Sequence, residues 1–62
     1  METTIKEQIL AIQATGETNM LDTNMVQYIA NREDYYELVV YIEEHKKDYL
    51  QFILTGKSND KA

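Results

Sequence analysis

Sixty-two residues allow one small domain, and eleven Asp and Glu against six Lys and Arg leave it with a net charge of −5. The chain has no cysteine, which excludes disulfides, thiolate zinc sites and cysteine nucleophiles. Its single histidine, His45, leaves too few nitrogen ligands for an ordinary structural zinc site. The acidic balance repels phosphate backbones, so direct binding of nucleic acid is not expected. It suits solubility, or a partner with a basic surface.

A domain this short buries only roughly 60% of the surface of its unfolded chain, and self-association is one common remedy. The first residues, Met1-Glu2-Thr3-Thr4, show no basic region leading into an apolar run, so no signal peptide is expected. Leu38-Val39-Val40-Tyr41-Ile42 is the longest strictly apolar run and is far too short to span a membrane. A cytoplasmic location without membrane association is the expectation.

In chain order, the pattern predicts a first helix over about 4–15. Thr4 and Glu7 have the spacing of a capping box, Ile5, Ile9 and Ile12 recur at helical period flanked by Met1 or Gln8, and Gly16 offers a left-handed stop. The connector Glu17-Thr18-Asn19-Met20-Leu21 is expected to tuck its apolar pair under the core. A second helix over about 22–32 is capped by Asp22 or Thr23, with Met25, Tyr28 and Ile29 on its inner face and Val26 at the edge. Asp34 and Glu37 repeat the capping spacing, and a helical pattern without a breaker then runs to Thr55 before Gly56. One long helix over about 34–55 is therefore the primary reading, its stripe being Leu38, Ile42, His45, Tyr49, Phe52 and Ile53, joined by Tyr35 and Val39. A break near His45-Lys46-Lys47, giving four helices, is the alternative. The fold class is all-α: a small three-helix bundle with a long C-terminal helix, or four helices with the break. Residues 1–56 form a single domain, and the polar segment 57–62 is expected to be disordered.

The last helix carries more apolar surface than two short helices can cover. Tyr36, Val40 and Leu54 fall off the core face beside Glu43 and Lys47, and exposed apolar patches rimmed by charge mark interfaces. They are the candidate self-association residues of a homodimer, the commonest assembly. A further face carries Glu33, Glu37, Glu44 and Asp48 with Tyr41 between them, an acidic ridge and candidate partner-binding surface. Its carboxylate gaps of roughly 6–10 Å are on the scale of successive phosphates, so the ridge has the shape to enter a groove built for nucleic acid. The plainer reading, a solvated helix face with an acid at its start and a Glu43–Lys47 pair, carries the greater weight.

Sequence motifs for catalysis are missing. No phosphate loop, HExxH, calcium loop or nucleophile elbow is present, and Ser58, the one serine, stands in the polar segment. His45 with Asp48 at i,i+3 has base-and-orienter spacing, but a histidine at the core's edge is the preferred reading. No catalytic, cofactor-binding or metal-binding residue is assigned, and a non-enzyme without cofactor is expected. Helix, glycine turn and second helix also resemble a helix-turn-helix, with Asn24, Gln27 and Asn31 placed to read bases, yet Arg32 is the segment's one cation.

Several strings are similar to a known family: Ile9-Leu10-Ala11-Ile12, Thr18-Asn19-Met20-Leu21-Asp22, Val26-Gln27-Tyr28-Ile29-Ala30, Tyr36-Glu37-Leu38-Val39, Ile42 to Tyr49, and Phe52-Ile53-Leu54-Thr55-Gly56. Over about residues 4–57 the chain resembles short proteins with a domain of unknown function from Gram-positive bacteria and their phages or mobile elements. Relatives often carry a basic residue where Tyr28 stands and glycine-like turn residues near Arg32 to Asp34. The resemblance implies no activity; it does imply a mobile-element setting, where small acidic proteins often inhibit host defence machinery. The leading expectation is thus a non-enzymatic protein-binding module, a phage-encoded, anti-CRISPR-like inhibitor whose acidic surface blocks a larger nucleic-acid-handling bacterial protein. The alternatives are a small helix-turn-helix-like DNA-binding regulator and a structural or accessory phage protein.

Overall fold

The computed structural model describes residues 1–56 and is all-helical over them, with α1 at Thr3–Thr15, α2 at Thr23–Arg32, α3 at Tyr36–Glu44 and α4 at Lys46–Thr55. The expected disorder of 57–62 lies outside the described residues. The helices share one core. Ile5, Ile9 and Ile12 of α1 meet Val26, Ile29 and Ala30 of α2, Leu38 and Ile42 of α3, and Tyr49 of α4. Met20 of the connector is buried with them, whereas its neighbour Leu21 is exposed.

The long C-terminal helix of the primary reading is corrected to two helices, the four-helix alternative with its break at His45. His45 adopts φ −135° and ψ 49°, outside the helical region, and separates α3 from α4. Hydrogen bonds still straddle the break, His45 N to Tyr41 O at 2.7 Å and Tyr49 N to His45 O at 3.0 Å. Beyond the break Tyr49 is wholly buried, and its hydroxyl donates to the Met20 carbonyl at 2.6 Å. His45 itself, expected on the core stripe, is exposed. Its ring stacks obliquely on Tyr41, with centroids 5.3 Å apart.

Two helix starts also differ from the sequence expectation. α1 begins one residue earlier than Thr4, behind Glu2, and makes no side-chain cap hydrogen bond. Asp34 is not the N-cap of α3, a position held by Tyr35. It stands instead just beyond the end of α2, at φ 64°. Tyr35 N bonds Ala30 O at 2.7 Å and Asp34 N bonds Asn31 O at 3.2 Å, the paired six-to-one and five-to-two bonds of a Schellman motif. Asp34 thus fills the left-handed position where glycine is usual, and its carboxylate accepts from Tyr36 Oη at 2.9 Å.

The phase of α2 is rotated relative to its sequence pattern. Val26 and Ala30 are fully buried alongside Ile29, while Met25 and Tyr28, expected inside, are exposed. Other local readings match the structure. Gly16 and Gly56 take the left-handed conformation at φ 66° and 75°, and the Asp22 side chain accepts from Met25 N at 3.2 Å as an N-cap. In the connector, Asn19 Oδ1 accepts from Leu21 N at 2.9 Å, a local turn that aims Met20 inward.

Candidate functional site

The N-terminal turns of α1 and the length of α3 lie side by side because Ile5 and Ile9 pack with Leu38 and Ile42 in one core. Gln8 fixes their register with both ends of its amide. Its oxygen accepts from Leu38 N at 3.1 Å, and its nitrogen donates to Glu37 Oε1 at 3.0 Å. On the other flank of α3, Gln27 Nε2 donates to Val39 O at 3.1 Å and to Glu43 Oε1 at 3.2 Å. Glu43, expected to pair with Lys47, accepts from Gln27 of α2.

Between α1 and α3 runs an open groove of about 550 Å³, lined by Met1, Glu2, Ile5, Glu37, Val40, Tyr41, Glu44 and His45. The α3 wall repeats at helical spacing: Glu37, then Val40 and Tyr41, then Glu44 one further turn along. Met1, Ile5, Val40 and Tyr41 supply the groove's apolar lining and Glu2, Glu37 and Glu44 three carboxylates, with His45 at the end where α3 stops. Val40 is about half exposed, at 52%. Such surface is apolar area left in water by a domain too small to cover it.

Three of the five ridge residues meet here: Glu37, Tyr41 and Glu44. Glu33 does not line the groove; it caps the C-terminal end of α2 and pairs with Arg32 Nε at 3.0 Å. Asp48 also lies off it, on α4, with one carboxylate oxygen 3.9 Å from His45 Nδ1. The ridge is therefore not one straight line, because the break carries Asp48 onto a second helix axis. The groove draws in Met1, Glu2 and Ile5, of which the sequence pattern had placed only Ile5 on the first helix's core stripe, with Met1 as a possible flank. Their neighbourhood to α3 is a tertiary fact with no local signal.

The three residues named as candidates for self-association lie on the surface: Tyr36 is 55% exposed, Val40 52% and Leu54 70%. Leu10, Leu21, Met25 and Tyr28 are exposed as well. Val40 thus belongs both to that set and to the groove.

Electrostatics follow the contacts. The Gln8 hydrogen bond, with a smaller contribution from its own backbone amide, holds the Glu37 carboxyl below its ordinary value. Burial, and then the charge of Asp48, push the Tyr41 hydroxyl upward. At physiological pH the rim carboxylate of Glu37 is ionised and Tyr41 is a neutral donor.

Arg32, the one cation of the helix-turn-helix-like segment, is held by Glu17, with Nη2 to Oε1 at 3.0 Å, and by Glu33. Its charge is raised in pKa and already neutralised by these acids. Among the described residues no group of three or more His, Cys, Asp or Glu has the arrangement of a metal site, and no helix is long and apolar enough to cross a membrane.

No curated protein and no solved structure matches the chain. One family does, a domain of unknown function, DUF5049, whose pattern runs over residues 1–57. The groove and all four helices lie inside that span, and the chain belongs to the DUF5049 family.

Proposed function

We propose that this chain is a non-enzymatic protein-binding module whose contact surface is the groove between α1 and α3. The observation that carries the reading is the combination of half-exposed Val40 with Glu2, Glu37 and Glu44 around one apolar floor. Apolar surface rimmed by charge is the composition of a recognition surface, with the floor supplying affinity and the rim supplying selectivity and encounter rate. The sequence resemblance supports a narrower setting: a phage or mobile-element protein that inhibits a larger nucleic-acid-handling bacterial protein by occupying its basic surface. A cytoplasmic site of action goes with that setting.

The test is retrieval of partners from a bacterial lysate at graded salt, comparing the native chain with Glu37→Lys/Glu44→Lys. A partner retained by the native chain and reduced tenfold or more by the double reversal supports the reading. Equal retention across salt concentrations defeats it.

Self-association is a second reading, favoured by the exposure of Tyr36, Val40 and Leu54. It predicts a dimer by light scattering that Tyr36→Glu or Leu54→Glu dissociates. A regulator of DNA is disfavoured by the pairing of Arg32 with Glu17 and Glu33 and by the net charge of −5.

A further inference from the structure

We infer that the groove takes a short basic amphipathic helix of a partner protein, an inference that rests on the protein-binding reading above and names its ligand. Three observations converge on that occupant. Two helices form the walls, and among the described residues there is no strand, hence no free sheet edge to accept an extended peptide through its backbone. A helix laid against two helices is the remaining common mode of peptide capture.

Spacing is the second observation. Glu37 and Glu44 are seven residues apart on α3, about 10.5 Å along the axis at ~1.5 Å per residue, with Val40 and Tyr41 between them. A guest helix has the same rise, so Lys or Arg at i and i+7 match both carboxylates while large apolar side chains at i+3 and i+4 meet Ile5, Val40 and Tyr41. Glu2, the N-cap of α1, adds a third carboxylate to the lining.

Charge decides among occupants. A nucleic acid or an anionic lipid surface would bring phosphates to a rim of carboxylates. A second copy of this chain would bring a net charge of −5 against the same rim. A cationic helix gains from the carboxylates of Glu2, Glu37 and Glu44, and Glu37 is held in place by its bond from Gln8.

The experiment titrates the isotope-labelled chain with a 14-residue helix-favouring peptide carrying Lys at i and i+7 and Leu at i+3 and i+4. Controls are a scrambled peptide of the same composition and a Glu-for-Lys counterpart. Expected results are amide shift changes at residues 2, 5, 37, 40 and 44, a gain of helix in the peptide, and at least tenfold weaker binding to Glu37→Lys/Glu44→Lys. Val40→Ser, an exposed and conservative change in size, should weaken binding without the charge reversal. Equal binding of the scrambled peptide, shifts confined to Leu21, Met25 and Tyr28, or shifts produced by raising the chain's own concentration without peptide each overturn the inference. If the peptide seats in the groove while cellular retention ignores the double reversal, the proposed function fails and the groove's ligand class stands. If retention depends on the groove while no basic helix binds, the inference fails and the function stands.

Discussion

Gln8 and Glu37 sit 29 positions apart in sequence and are joined by a 3.0 Å hydrogen bond, while the other end of the Gln8 amide accepts from Leu38 N at 3.1 Å. One side chain of α1 thereby satisfies an amide in the first turn of α3 and orients a carboxylate on the rim of the groove. Fold and site are coupled at this point. The Leu38 amide is shared between Gln8 Oε1 and Tyr35 O, and the bond from another helix ties the two elements in register.

Replacing Gln8 with Leu removes both contacts. The Leu38 amide retains its bond to Tyr35 O at 3.1 Å, so the expected loss of stability is modest, about 0.5–1 kcal/mol by urea unfolding. The acid arm should also change. The Glu37 carboxyl is lowered from its ordinary 4.5, so the unfolded chain takes up the proton first as pH falls. Its stabilising contribution is present above about 4.5 and is lost as pH drops through the folded value. In Gln8→Leu the difference in unfolding midpoint between pH 6 and pH 3 should shrink relative to the native chain.

The Tyr49 hydroxyl donates to Met20 O at 2.6 Å in the core. Tyr49→Phe keeps the ring and strands a buried carbonyl, for an expected cost of about 1–3 kcal/mol by urea unfolding. A change within experimental error would mean that this bond does not hold α4 to the connector.

The same residue sets an alkaline limit. Burial pushes the Tyr49 hydroxyl from 10.0 up to about 12. The unfolded chain therefore loses this proton before the folded one, and the stability it contributes, full below pH 10, falls away as pH rises through about 12. Thermal midpoints from pH 9 to 12 should decline more steeply in the native chain than in Tyr49→Phe.

Asp34 at φ 64° occupies the left-handed end of α2's Schellman motif. Asp34→Gly removes the steric cost and sacrifices only the exposed contact with Tyr36, so it should stabilise by about 0.5–1 kcal/mol. Asp34→Val, β-branched at the same angle, should destabilise. Both are read from thermal midpoints by circular dichroism.

These residues also show how far the fold was legible in the sequence. Ile5, Ile9 and Ile12, and Leu38, Ile42 and Tyr49, are buried where helical period placed them. The Asp22 cap and the glycine stops follow from local chemistry that needs no tertiary context. The phase of α2 does not: apolar residues cover much of its circumference, and only contact with α3 and α1 selects Val26 and Ala30 over Met25 and Tyr28. There is no proline or glycine at 45–47 and the stripe crosses His45 in phase, so the sequence offered the break there only as the alternative to one long helix. The break coincides with a remote contact, the bond of Tyr49 to Met20 O. Asp34 and Glu37 satisfied a capping spacing while the backbone used Asp34 to end the preceding helix.

The site was legible in part for the same reason. Glu37, Tyr41 and Glu44 share a helix face that spacing alone reveals. Met1, Glu2 and Ile5 complete the groove only because two helices distant in sequence lie side by side.

Site-specific photocrosslinking tests the protein-binding role most directly. A photoreactive side chain at Val40, in the groove, is compared with one at Gln51, an exposed α4 position that does not line it. Expressed in bacterial cells, the chain labelled at position 40 should give one discrete heavier adduct, suppressed by Glu37→Lys/Glu44→Lys, and the chain labelled at position 51 should not. Adducts of equal yield from both positions, or no adduct from position 40, would contradict a partner seated between α1 and α3.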